Sequence, residues 1–190
     1  MNIGFCFCGP FCTYSKVFPV LERLAETHTV IPIFSKASAS VDSRFGSSRD
    51  FLARAEHICG TKPLTSLEEV EPIGPKKLLD LLIIAPCTGN TLAKLAHSIA
   101  DSPVTMAAKS HLRNARPVLL AVSTNDALAG AAENIGKLMA RKHYYFVPFR
   151  QDSWEKKPTS MVADFSLIPD AAEAALDRQQ IQPILLAGNP

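Results

Sequence analysis

The chain has 190 residues, 47% of them hydrophobic and 20% charged, a composition typical of one soluble globular domain. Its formal net charge of +2 is too small to predict binding to nucleic acid or to an anionic membrane. No apolar stretch is long enough for a transmembrane helix, and residues 1–5 resemble a first strand more than a signal peptide. The five cysteines are an odd number, which favours reduced thiols in the cytoplasm over a disulfide framework.

Short apolar runs alternate with helical periodicities along the chain, which predicts an α/β fold built on a doubly wound parallel sheet. We expect strands at residues 2–8, 29–34, 81–85, 117–122 and 144–147, and helices at 11–25, 49–58, 91–99, 103–112, 129–141 and 160–176. The Ser-rich stretch 35–48, the proline-interrupted stretch 61–77 and the polar stretch 148–158 are expected to be loops or irregular pieces, and residues 184–186 a short edge strand or arm. We therefore expect one domain over residues 1–190, with a C-terminal extension from about residue 148.

Three of these strands end in small polar loops, at residues 9–13, 86–91 and 123–126. The carboxyl ends of parallel strands share one edge of a sheet, and ligands of open α/β sheets bind there. A helix start after such a loop also favours an anion. A further helix start follows nearby, because Ser102 can cap a helix that has Pro103 in its first turn. This edge is therefore the expected binding site.

The loop residues also have simpler explanations. Thr88 or Asn90 can cap the next helix, and residues 123–126 can do the same for theirs. The first loop does not match the GxGxxG fingerprint, and a tight turn would explain its glycine equally well. Cys6, Cys8 and Cys12 could suggest a metal, but no second Cys/His cluster completes a set of ligands, so no metal site is predicted. His97 and His111 lie on predicted helices and receive no role.

The central segment carries a recognisable pattern: Pro86-x-x-x-Asn90-Thr91-x-x-Lys94-x-Ala96, followed by Ile99-Ala100-Asp101. It resembles the flavoprotein family that includes phosphopantothenoylcysteine decarboxylase and the flavin prenyltransferases. Within that family it resembles a branch whose members form pyridine-2,6-dicarboxylate during sporulation. The matching segments outside the centre are Cys12-Thr13-Tyr14, Asp42-x-Arg44-Phe45-Gly46, residues 71–76, residues 123–128, residues 145–149 and Lys156-Lys157-Pro158. Together, in this order, they cover nearly the whole chain.

The resemblance implies a Rossmann-like, three-layer flavoprotein fold that can hold FMN. Carried over by position, the cofactor-binding residues would be Gly9, Ser35, Thr88, Gly89, Asn90 and Thr91. Asn125 would bind substrate. For the two substrate carboxylates we add Arg44, Lys109 and Arg113 as candidates, an inference of ours that the family does not supply. No general base is assigned.

The resemblance also implies a reaction and partners. The chain would act in the cytoplasm of a spore-forming mother cell, on the 4-hydroxytetrahydrodipicolinate or dihydrodipicolinate intermediate. It would do so with a second subunit that resembles a nicotinamide-dependent dehydrogenase and would carry NAD(P), and it would form a homo-oligomer.

Two departures from the family pattern keep alternatives open. Relatives have Thr-Gly-Ser where this chain has Cys8-Gly9-Pro10, so Pro10 removes a hydroxyl and a backbone N–H that could reach a phosphate. The chain could therefore be a cofactor-free structural partner of the second subunit. The substrate motif of the decarboxylases is replaced by residues 123–128, which disfavours the other alternative, a flavin-dependent decarboxylase.

Overall fold

The computed structural model describes residues 1–188 and contains one seven-stranded sheet with helices packed against it. The strands are β1 (Asn2–Phe7), β2 (Thr29–Phe34), β3 (Leu81–Cys87), β4 (Val118–Thr124), β5 (Tyr144–Phe146), β6 (Phe149–Ser153) and β7 (Lys157–Ala163). The helices are α1 (Tyr14–Ala25), α2 (Lys36–Ser40), α3 (Ser48–Cys59), α4 (Leu67–Val70), α5 (Gly89–Ala96), α6 (Pro103–Leu112), α7 (Ala132–Met139) and α8 (Ile168–Leu176). Within residues 1–188, no helix combines the length and the apolar character needed to span a bilayer.

Five strands form the parallel part of the sheet, in the order β2-β1-β3-β4-β5. All seven residues of β3 are buried, as expected for a strand that has neighbours on both sides and helices on both faces. The core around β1 is aromatic, with Phe7 stacked on Phe34 and Phe18. The predicted α/β fold with its parallel strands is therefore confirmed for this part of the sheet.

The sheet also has an antiparallel part that the sequence did not predict. The β6–β7 hairpin is antiparallel, and β7 pairs with the carboxyl half of β4, where Ser123 faces Val162 and Thr124 faces Met161. β5 occupies only the amino half of β4, from Val118 to Leu120. The second half of β4 therefore has a free edge, and the hairpin satisfies its backbone groups.

The last predicted helix begins later than expected. Residues 160–163 belong to β7, and α8 starts only at Ile168. The small and apolar residues of this stretch fit the spacing of a helix and that of a strand equally well. Pairing with β4 and β6 makes residues 160–163 a strand. The predicted arm runs beside β6, since the Phe149 N–H donates to the Ile184 carbonyl and the Leu186 N–H donates to the Phe149 carbonyl, both at 3.0 Å.

Local signals explain several helix ends. Ser102 caps α6 in a reciprocal capping box with Thr105, and Pro103 takes the first helical position, as predicted. Ser47 caps α3, which ends at Gly60 in the left-handed conformation, with φ of 62°. Ser35 caps a short helix, α2, inside a stretch for which only a loop was predicted. Its side chain accepts a hydrogen bond from the Ser38 N–H.

Candidate functional site

A cavity of about 530 Å³ opens at the carboxyl ends of β1, β3 and β4 and is closed on one side by the β6–β7 hairpin. Three polar loops border it, as the sequence predicts. The loops contribute Gly9, Pro10, Cys12, Thr13, Thr88, Ser123, Thr124 and Asn125 to its lining, α1 contributes Lys16, and the hairpin contributes Asp152, Lys157, Ser160, Met161 and Val162. Four of these lining residues carry the hydroxyl or amide groups predicted for the loops after β3 and β4.

The loop after β3 is built around a helix cap. The Thr88 hydroxyl oxygen accepts from the Thr91 N–H at 3.2 Å, and the Thr91 hydroxyl donates to Cys8 Sγ at 3.4 Å. Capping therefore accounts for Thr88, and Thr91 links this loop to β1. Asn90 is exposed in the first turn of α5, and within residues 1–188 its side-chain amide has no hydrogen-bond partner. Gly89, Asn90 and Thr91 are not among the residues that line the cavity, and Asn90 is the one of this loop whose polar group is unengaged within residues 1–188.

The loop after β4 is locked to the loop after β3 through Gly89. The Thr124 hydroxyl donates to Asp126 Oδ1 at 2.5 Å. A Cβ at Gly89 would lie 2.7 Å from Asp126 Oδ1 and 2.8 Å from Thr124 Oγ1, so any larger residue would have to displace these two side chains. Asn125 is exposed between them, and its backbone carbonyl accepts from the Thr159 hydroxyl at 2.6 Å. The hairpin thus holds Asn125 at the cavity wall.

Gly9 leaves open space in the loop after β1. A Cβ at Gly9 would meet only Thr88 Cγ2, at 3.8 Å, so no protein atom fills the volume beside this glycine. The Thr13 hydroxyl is already engaged, because it donates to the Pro10 carbonyl at 2.9 Å. In this loop the backbone therefore offers a ligand space, while two potential donors, at residues 10 and 13, are lost or occupied.

A chain of hydroxyls connects the loops after β1 and β2. The oxygens of Ser35 and Ser38 lie 2.8 Å apart, and the buried Ser38 hydroxyl donates to the Phe7 carbonyl at 2.7 Å. The Ser35 N–H donates to the same carbonyl at 2.9 Å. Ser35 therefore lies at the carboxyl edge of the sheet, as predicted, although it does not line the cavity described above.

Two lysines at this cavity were not among the predicted site residues. Lys16 is exposed near the start of α1, and within residues 1–188 it forms no hydrogen bond or ion pair. Lys157 Nζ lies 2.7 Å from Asp152 Oδ2 across the hairpin, and this hydrogen bond raises the pKa of Lys157. Neither residue belongs to a sequence motif that points to substrate. Pairing of the hairpin with β4 brings Lys157 to the cavity.

The three cations that we predicted for the substrate carboxylates do not line this cavity. Arg113 is the C-cap of α6, and its Cδ lies 2.8 Å from the position of a Cβ on Gly74, which precedes β3. Lys109 lines a separate cleft beside His143 and Tyr144, at the amino end of β5. Both therefore lie toward the amino ends of the strands, because α6 runs back along the sheet to lead into β4. Within a single chain, the structure therefore does not bring Lys109 and Arg113 together with Asn125.

Arg44 also lies outside the cavity lining. It is exposed in the loop between α2 and α3, with its guanidinium carbon 4.9 Å from the centroid of the Phe45 ring. Asp42 does not pair with it but accepts from the Ser48 N–H at 2.8 Å. The structure gives Arg44 an aromatic neighbour and no carboxylate partner within residues 1–188.

The cysteines beneath the site are buried thiols. Burial raises the pKa of Cys8 to about 11, against the smaller opposing effect of the hydrogen bond from Thr91, and burial likewise raises the pKa of Cys6 and Cys87 well above the usual value. Among residues 1–188, no group of three or more His, Cys, Asp or Glu side chains is arranged to hold a metal ion. Cys12 differs from this group, because it is exposed at the cavity.

Comparison with known proteins agrees with this geometry. The Flavoprotein family model matches residues 1–174. The chain belongs to the flavoprotein family. The B subunit of dipicolinate synthase from Bacillus subtilis (strain 168) is 46% identical over 186 residues, which cover 97% of this chain and 93% of that protein.

Solved structures of flavoproteins show the same fold. The crystal structure of the dipicolinate synthase B subunit from Bacillus halodurans superposes with a TM-score of 0.91 at 42% identity, covering 99% of this chain and 97% of that one. An FMN-dependent cysteine decarboxylase, TvaF from thioviridamide biosynthesis, gives a TM-score of 0.64 at 17% identity, with 93% and 98% of the two chains covered. At that identity the likeness concerns the fold alone.

The family implies FMN as a cofactor. The residues at this edge suit some parts of an FMN molecule and not others. The open volume at Gly9 and the unpartnered amide of Asn90 suit a ligand that approaches the backbone closely. The hydroxyls of Ser35, Thr88 and Thr91 lie at this edge but already have hydrogen-bond partners within the protein. Pro10 offers no N–H to a phosphate. The edge therefore leaves space and one free amide for part of an FMN molecule, while its first loop lacks one N–H for the phosphate.

Proposed function

We propose that this chain is the B subunit of a dipicolinate synthase. It would form pyridine-2,6-dicarboxylate from the 4-hydroxytetrahydrodipicolinate or dihydrodipicolinate intermediate, in the cytoplasm of a sporulating cell. The observation that carries the proposal is the 46% identity to the Bacillus subtilis protein over 97% of this chain. The cavity supports it, since its size and its hydroxyl, amide and lysine groups suit a small polar anion.

The partner would be the A subunit of the same synthase, carrying a nicotinamide cofactor. Conversion of the dihydropyridine dicarboxylate to the aromatic acid removes a hydride and a proton, so an electron acceptor is required. FMN would be held by Gly9, Ser35, Thr88, Gly89, Asn90 and Thr91 and, when bound, would supply a hydride acceptor; NAD(P) on the A subunit would be the other acceptor. The chain's own contribution is to bind and orient the dicarboxylate, with Asn125 at the cavity wall.

An absorption spectrum of the purified chain, with and without added FMN, tests where the hydride goes. Bound oxidised flavin would give its visible bands and support an acceptor on this chain. A colourless chain that also fails to bind added FMN would move the hydride step to the A subunit. The chain would then be the cofactor-free partner of that dehydrogenase-like chain, a second candidate function that Pro10 favours.

Substitution of Asn90 tests whether the edge is used at all. Asn90 is exposed and has no partner within residues 1–188, so Asn90→Ala should leave stability unchanged. We expect it to lower turnover of the reconstituted two-subunit enzyme strongly, while the exposed amide variant Gln179→Ala has no effect. Unchanged turnover in Asn90→Ala would show that the pocket assignment is wrong.

Light scattering on the purified chain tests the proposed homo-oligomer.

A further inference from the structure

Two lysines from different elements line the same cavity. Lys16 comes from α1, and Lys157 comes from the first residue of β7 on the hairpin. The end of β4 adds the hydroxyl of Ser123 and the amide of Asn125, which are neutral hydrogen-bonding groups. The cavity therefore combines two positive groups with neutral polar groups.

The charges of the cavity are incompletely balanced. Its charged lining residues are Lys16, Lys157 and Asp152, and Asp152 pairs only with Lys157. Lys16 has no partner within residues 1–188. Both lysine side chains are solvent-exposed, so packing does not explain their place at the mouth of a cavity. An anion with two separated negative groups would meet one lysine with each group, the first directly and the second in competition with Asp152.

We propose that Lys16 and Lys157 are the residues that hold the two carboxylates of the substrate and product, one lysine for each carboxylate. This inference rests on the proposed function and replaces Arg44, Lys109 and Arg113 in the role that the sequence had suggested. It also gives the β6–β7 hairpin a function, since the hairpin delivers Lys157 and supports Asn125 through Thr159. The hairpin is then the element that makes the site specific for a dicarboxylate.

Cys12 provides a direct probe of occupancy. It is exposed in the same cavity, whereas Cys6, Cys8 and Cys87 are buried and Cys59 lies at the end of α3, away from the cavity lining. Alkylation with iodoacetamide, followed site by site with mass spectrometry, therefore reports on the cavity. Added glutathione is the reference thiol, because burial raises the pKa of Cys59 to about 12 and slows its reaction. Pyridine-2,6-dicarboxylate is the test ligand, and pyridine-2-carboxylate is its one-carboxylate control.

The experiment is run on the complex of this chain with its dehydrogenase-like partner and compares Lys16→Met, Lys157→Met and the exposed-lysine control Lys142→Met. The dicarboxylate should slow alkylation of Cys12 and leave alkylation of the added glutathione unaffected. We expect half-protection to need at least about tenfold more dicarboxylate in Lys16→Met and in Lys157→Met, because each loses a charge-assisted contact, and no change in Lys142→Met. The one-carboxylate control should protect at least about tenfold more weakly in the unmodified chain.

Asp152→Asn should lower the dicarboxylate concentration needed to protect Cys12, whereas the two lysine-to-methionine variants should raise it. It releases Lys157 from its competing carboxylate, so we expect the dicarboxylate to protect Cys12 at about two- to fivefold lower concentration, the range of an exposed ion pair. Equal protection in the native chain and both lysine-to-methionine variants would overturn the lysine assignment and leave the proposed function intact. If no concentration of dicarboxylate protects Cys12 in the native complex, the cavity is not the substrate site and the lysine assignment fails, whereas turnover by the same complex separately tests the proposed function.

Discussion

Lowering the pH is expected to destabilise this protein through one buried histidine, His111. Only 1% of its surface is exposed, and its Nε2 lies 3.0 Å from the Pro117 carbonyl oxygen. Burial, assisted by the nearby charge of Arg116 and opposed by the Pro117 hydrogen bond and by Asp80, lowers its pKa to about 4. The folded state therefore holds a neutral imidazole that donates its Nε2 hydrogen to the carbonyl.

Proton linkage gives the direction and the size of this change in stability with pH. In the unfolded chain His111 titrates near its reference pKa of about 6.5, so below that pH the unfolded state binds a proton that the folded state does not. The contribution of His111 to stability is therefore constant above the unfolded-state pKa and falls as the pH drops toward the folded-state pKa of about 4. The difference between the two pKa values corresponds to a loss of about 2 kcal/mol at pH 5 and about 3 kcal/mol below pH 4.

The matched variant is His111→Gln, whose side-chain amide can donate to the same carbonyl without titrating in this range. Urea unfolding of both proteins at about pH 7.5 and about pH 5 gives four free energies of unfolding. The difference between the two pH values is taken for each protein, and the two differences are then compared. This comparison cancels the cost of the substitution itself and the contributions of all other titrating groups to the free energy of unfolding. We expect the native chain to lose about 2 kcal/mol more than His111→Gln. Equal losses in the two proteins would refute the assignment of this pH dependence to His111.

Two further substitutions test the loops of the candidate site. Gly89→Ala places a Cβ 2.7 Å from Asp126 Oδ1, so we expect urea unfolding to show that the free energy of unfolding falls by about 1–3 kcal/mol. The control is Gly136→Ala, where a Cβ meets nothing within 4 Å, and this variant should be neutral or stabilising. A loss in Gly136→Ala as large as in Gly89→Ala would contradict the steric argument. Pro10→Ser restores a hydroxyl and an N–H at the first loop, and we expect fluorescence titration to show FMN binding about 5- to 150-fold tighter, the equivalent of about 1–3 kcal/mol. An unchanged affinity would mean that residue 10 does not face the phosphate.

Local sequence patterns are enough to predict the buried strands, the helix caps and the position of the binding edge. Apolar runs without alternation predict buried parallel strands, and the runs at β1, β3 and β4 are buried from end to end or nearly so. Helix caps are equally local, because a serine or threonine hydroxyl reaches an N–H only three residues away, as at Thr88 and Ser102. Once the strands are parallel, their carboxyl ends share one edge, and the position of the binding edge follows.

The composition of the site, in contrast, depends on contacts that form only when the chain folds. The segment 149–163 has no strong period of its own, and the free edge of β4 turns it into a hairpin that carries Lys157 to the cavity. Lys109 and Arg113 look equally suitable in the sequence, but α6 runs back toward the amino ends of the strands and carries them away from Asn125. The contact between Gly89 and Asp126 joins loops that are far apart along the chain. Local patterns predict strands, helices and caps, whereas contacts between residues distant in sequence depend on strand pairing and helix direction, which only the folded chain establishes.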